Sequence, residues 1–130
     1  TYVKGFYCYG IDINPIGGFA IASVDRVANV DINGRIGRVV SGFQHVYDIK
    51  NGPENSIFVS DSKLNTIYKI TTKNEIREFI KFKDTASKAV VNAAGLCFDK
   101  EYKNLYAVNM YRGELYRISL NSDYSAAAIE

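Results

Sequence analysis

The chain has 130 residues and a mass of 14.5 kDa, enough for one domain with a real core and too little for two comfortable ones. Hydrophobic residues at 47% and charged residues at 23% exclude global disorder, and no apolar run approaches the ~20 residues of a membrane helix. Sixteen basic against fourteen acidic residues leave a net charge of +2, too small a surplus to point to nucleic acid. Ten Tyr and seven Phe, with abundant Ile and Val, favour strands over helices. Cys8 and Cys97 fit no metal spacing or Cys-x-x-Cys motif. They read as two free, half-buried thiols, with one disulfide as the alternative. The letters specify no compartment.

In chain order, Val3-Lys4-Gly5-Phe6 resembles Val40-Ser41-Gly42-Phe43, so residues 2–8 read as the outer strand of a blade whose other strands are absent. Residues 10–13 form a short apolar stretch, and the Asn, Pro and Gly of 14–18 then make a turn. Residues 19–30 read as two strands and 35–42 as a fourth, giving a first unit over about 9–43. The second unit, about 46–82, repeats this plan with residues 46–49, a turn at 51–55, residues 57–70 and an outer strand at 75–82. The third, about 95–120, has a weak fourth strand at best, and 125–130 reads as a tail. Ile57, Val59, Asp61 and Ile67 fall without a gap on Leu105, Ala107, Asn109 and Leu115, while the first copy is two residues shorter in its turn. Four strands in each repeat of about 40–45 residues mark an all-β chain of propeller blades. A β-sandwich is the runner-up. The gapless match weighs against it.

Ser56-Ile57-Phe58-Val59-Ser60-Asp61-Ser62, followed by Asn65-Thr66-Ile67-Tyr68-Lys69-Ile70, resembles the core of NHL-type six-bladed propellers. Ala94-Gly95-Leu96-Cys97-Phe98-Asp99 and Asn104-Leu105-Tyr106-Ala107-Val108-Asn109 resemble that core and those of the gluconolactonase-like and strictosidine-synthase-like propellers. The resemblance covers roughly residues 9–120 and implies a fold that hosts hydrolases, lyases and binding modules. Gluconolactonase-like enzymes hold a divalent cation with Asn, Asp and Glu just before a Gly-Leu pair. The matching residues here are Ala94, Tyr9 and the pair Val46-Tyr47, so no metal or cofactor is expected. Three blades are half of six. Either the chain is a piece of a larger protein, or two copies close a ring, with residues 2–8 completing the neighbour's third blade.

Asp25, Asp61 and Asn109 read as one position repeated at the end of each second strand. They would form a polar ring at a channel mouth or, the reading favoured, cap the following turn. His45, the only histidine, lies near Ser41 and Asp48, but residues so close along one strand rarely converge. It reads as a loop histidine with a local hydrogen bond. The basic stretch 63–88 reads as a solvated outer edge, and 84–94 as an insertion at a channel mouth. The expectation is a non-enzymatic binding or scaffold module with no catalytic residue. It would contact a protein, a small ligand or a second copy through Tyr9, Asp25, Asp61, Asn109, Tyr111 and Arg112. The alternative is part of a gluconolactonase- or strictosidine-synthase-like hydrolase or lyase completed by other blades.

Overall fold

Three times along the chain an apolar strand meets a turn rich in Asn, Gly or Lys, reverses, and is followed by two further antiparallel strands. A computed structural model describes residues 2–82, 93–110 and 113–130. Blade 1 contains β1 (Gly10–Ile13), β2 (Phe19–Ala22), β3 (Arg26–Val30) and β4 (Val40–Ser41). Blade 2 contains β5 (Val46–Asn51), β6 (Ile57–Asp61), β7 (Thr66–Ile70) and β8 (Ile76–Lys81). Blade 3 contains β9 (Ala93–Phe98), β10 (Asn104–Asn109), β11 (Glu114–Leu120) and β12 (Ala126–Ile129). Each sheet is a meander in chain order. The first strands touch one another, β1 against β5 and β5 against β9, and β2 and β6 lean on the first strand of the next sheet. The sheets therefore fan from a common line of first strands, with β4, β8 and β12 outermost.

Strand periodicity assigns each residue to one side of its sheet. Ala20, Ala22 and Val27 of blade 1 face Ile49, Ile57, Val59 and Ile70 of blade 2. Phe58, Ile67 and Ile80 on the other side of blade 2 face Leu96, Leu105, Ala107 and Ile118 of blade 3. All five residues of β6 are buried because the strand is covered on both faces. Polar ties cross the same joints. The Asn51 N–H donates to Asp12 Oδ2 at 2.7 Å, the Leu96 N–H to Asp48 Oδ2 at 2.9 Å, and the Ser60 hydroxyl to the Ala94 carbonyl at 2.6 Å.

Gly18 illustrates how tightly a turn is held. Its φ is +80°, and a Cβ there would stand 2.0 Å from the Val30 carbonyl oxygen. Gly18→Ala is expected to cost about 1–3 kcal/mol in strain, read in the denaturation midpoint. An unchanged midpoint would mean that the β1–β2 turn relaxes freely.

Four sequence expectations are corrected. Residues 125–130 are not a tail, since β12 pairs with β11, Ile129 opposite Ile118 and Ala128 opposite Ser119. The outer strand expected over 35–42 contracts to Val40–Ser41 and an isolated bridge from Ile36 to Val30. Residues 2–8 form no strand. They lack a third strand to pair with, and Val3 and Phe6 instead pack on Ile21, Ala28 and Val30 of blade 1. Cys8 and Cys97 are free, as expected, but exposed rather than half-buried. The insertion at 84–94 lies almost wholly outside the described residues.

Candidate functional site at the channel mouth

Antiparallel pairing puts the β2–β3, β6–β7 and β10–β11 turns at one end of the fan, together with the links that enter the first strands. Backbone bonds knit this mouth. Phe43 and Val46 donate to the carbonyls of Asp25 and Val24, and Ser62 donates to that of His45. Asp61 is fully buried at the centre. Its Oδ2 accepts from the Gln44 N–H at 2.7 Å, and its Oδ1 from the N–H groups of His45, Lys63 and Leu64, each at 3.1 Å. The carboxylate pins the link between blades 1 and 2 to the β6–β7 turn. That is the capping role favoured from sequence, extended to a second loop. Asn109 stands at the matching position of blade 3 and is also buried.

Asp25 does not belong to this set. Val27 and Ile67 both face the next blade and pair with Ala22 and Ser60 respectively. Ser23 therefore stands at the register of Asp61, and the two missing residues of the first turn carry Asp25 out to solvent. There it pairs with Arg26 at 3.0 Å, both side chains half-exposed. Tyr9 lies just before β1, exposed, with its N–H bonded to the Ala22 carbonyl. Partial burial, and secondarily the charge of Asp61, raise its phenol pKa above the usual value, so it remains an O–H donor at neutral pH. Tyr111 and Arg112 lie outside the described residues.

Two mouth residues go beyond that set. His45 is exposed on the link, its backbone held by Asp61 and Ser62. The register shifts between Val46 and Asp48, so Tyr47 is the bulged residue. Bulges re-aim side chains, and this one leaves the Tyr47 hydroxyl 3.6 Å from the Met110 sulfur, bridging blades 2 and 3. Nothing in the letters announces a bulge. Among the described residues no three His, Cys, Asp or Glu side chains are grouped to hold a metal ion. A cleft between blades 1 and 2 lies toward the opposite end, lined by Asn14, Asn29, Arg38, Asn55, Thr71 and Asn74. It holds no acid–base pair.

No family model and no curated protein sequence matches the chain. Solved structures do. Virginiamycin B lyase from Staphylococcus aureus superposes with a TM-score of 0.72 at 20% identity, over 92% of this chain and 40% of the lyase. The chain is three blades of a β-propeller. A catalytically inactive variant of the same lyase, with one histidine exchanged for alanine and quinupristin present, gives the same values. A streptogramin B lyase matches with a TM-score of 0.71 at 17% identity, over 92% of this chain and 39% of the lyase. The chain thus spans about 40% of the length of these enzymes. At such identities the likeness is one of fold.

Proposed function

We propose that these blades form part of a lyase- or hydrolase-type propeller, with the mouth around His45, Tyr9 and Tyr47 contributing to a site that further blades complete. The observation that carries this reading is the placement of the single imidazole: exposed at the mouth, on a link pinned by a buried carboxylate. Imidazole is a natural proton acceptor near neutral pH, and elimination begins with removal of a proton. Tyr9 and Tyr47 offer O–H donors to a developing oxyanion. The lyases of similar fold, one of them inactivated by loss of a histidine, support the same reading.

The test is incubation with quinupristin followed by chromatography and mass measurement. Ring opening by elimination leaves the mass unchanged, whereas hydrolysis adds one water. His45→Ala is expected to lower turnover by about 10²–10⁴-fold, the usual worth of a general base. Turnover that survives this change removes His45 from the chemistry. A non-enzymatic binding module is the second reading. It is favoured by the commitment of both Asp61 oxygens to backbone N–H groups, which leaves that carboxylate no chemical task.

A further inference from the structure

Each blade has a near face toward the preceding blade and a far face toward the following one, and both observed joints use the same register positions. On the near face of blade 2, Ile49 and Val59 are fully buried. Their counterparts on blade 1 are Ile11 and Ile21. Ile21 is covered by the N-terminal segment, but Ile11 is 60% exposed and Ile13 beside it 70%. On the far face of blade 2, Ile67 is 0% exposed, while its counterpart on blade 3, Leu115, is 65% exposed. Val108, paired with Leu115, extends that apolar patch. The molecule therefore carries one unfilled near face and one unfilled far face. These are the two halves of a joint it makes twice within itself.

The N-terminal segment says how the halves meet. Gly5 and Gly42 both have positive φ, +92° and +119°. The phenylalanines on the links pack on the third strand of the following blade, Phe43 against Tyr68 at 5.8 Å and Phe82 against Tyr116 at 5.2 Å. Phe6 packs on the cluster of Ile21, Ala28 and Val30, in which Ala28 holds the position of Tyr68. Residues 3–6 thus follow the path of 40–43, with no third strand beside Val3 and Lys4. In blade 1, Val40 and Ser41 pair with Val27 and Arg26. The matching positions in blade 3 are Leu115 and Glu114. There β12 reaches back only to Arg117, which exchanges backbone bonds with Glu130. Among the described residues, none pairs with Glu114 or Leu115 from the outer side.

We infer that a second copy of this chain closes the ring, the near face of each blade 1 packing on the far face of the partner copy's blade 3. Val3 of one copy then lies opposite Leu115 of the other, and Lys4 opposite Glu114. The N-terminal segment extends the outer edge of β11 beyond β12 instead of replacing that strand. The opposite charges of Lys4 and Glu114 favour this register, since like charges directly opposite are destabilising. Two three-blade copies give six blades under a two-fold axis, with the joint made twice.

Light scattering after gel filtration is expected to give twice 14.5 kDa. Lys4→Glu and Glu114→Lys, each alone, set like charges against each other at both joints and are expected to weaken the dimer about three- to tenfold. An equimolar mixture of the two variants restores opposite charges at both joints and is expected to recover wild-type affinity. Misfolding cannot produce that recovery. Leu115→Asp, at a position exposed in the single copy, is expected to give a folded monomer. A third readout uses Cys97, which stands where Asp12 stands at the first joint, while Ile13 matches Asn51. In Cys8→Ser/Ile13→Cys protein, the introduced thiol is expected to form a cross-link between copies with Cys97. A folded wild-type monomer overturns the inference, and so does an open-ended series of oligomers. A mixture of the charge variants that fails to recover does the same, and in each case further blades of a longer polypeptide become the occupant.

Discussion

Phe58→Ala is expected to destabilise the chain by about 3–5 kcal/mol, among the largest effects of any single truncation here. Phe58 is fully buried at the joint of blades 2 and 3. Its ring meets Phe79 and Phe98 edge-on, both at centroid distances of 5.0 Å. A Cβ on Gly52 would lie 2.6 Å from the ring, so backbone also closes in on it. The alanine variant loses the transfer energy of the ring and both edge contacts. It also leaves a cavity whose walls are strands held by their own ladders, which limits collapse. Urea denaturation is the measurement, with a fall in midpoint at constant slope expected. Leu115→Ala is the control and should change stability by less than about 0.5 kcal/mol in the monomer. A Phe58→Ala loss below about 1 kcal/mol would show that blades 2 and 3 are loosely joined.

What the letters carry well is whatever each strand decides alone. The run Ile57-Phe58-Val59-Ser60-Asp61, repeated 48 residues later by Leu105-Tyr106-Ala107-Val108-Asn109, marks a repeated blade strand before any coordinate is seen. What they carry badly depends on a neighbour. Ala126-Ala127-Ala128-Ile129 has no alternation, and becomes a strand only because the edge of β11 accepts its backbone. Tyr47 bulges from the ladder because Asp48 pairs with Ser60 while Val46 pairs with Asp61, a mismatch invisible in either strand by itself. Asp25 looks like Asp61 in the alignment. The register decides otherwise, since the shorter turn places Ser23 at the ladder position. The site follows the same division. Tyr9 and Asp61 were visible as mouth residues, His45 was visible as a loop histidine, and Tyr47 needed the bulge.

Asp61→Ala is expected to cost about 2–4 kcal/mol, a size that separates the two readings of this residue. If Asp61 served chiefly as a ligand in a polar ring, its removal would relieve a buried charge and leave stability unchanged or improved. The geometry gives the opposite expectation. One carboxylate satisfies four backbone N–H groups from two loops, those of Gln44 and His45 on the link and those of Lys63 and Leu64 in the turn. Alanine strands all four donors, and each must find water or stay unpaired. Asp61→Asn keeps one carbonyl oxygen. Placed as Oδ1, that oxygen still accepts from His45, Lys63 and Leu64, while the new amide turns a donor toward the Gln44 N–H. The expected order of stability is therefore wild type, then asparagine, then alanine, with asparagine costing about half as much. Amide exchange supplies the local readout: protection at Gln44 should fall in both variants, and protection at Leu64 only in the alanine variant. Unchanged stability in the alanine variant would return Asp61 to the list of ligand contacts. Loss of protection at both loops together would instead fix it as the staple that holds His45 at the mouth.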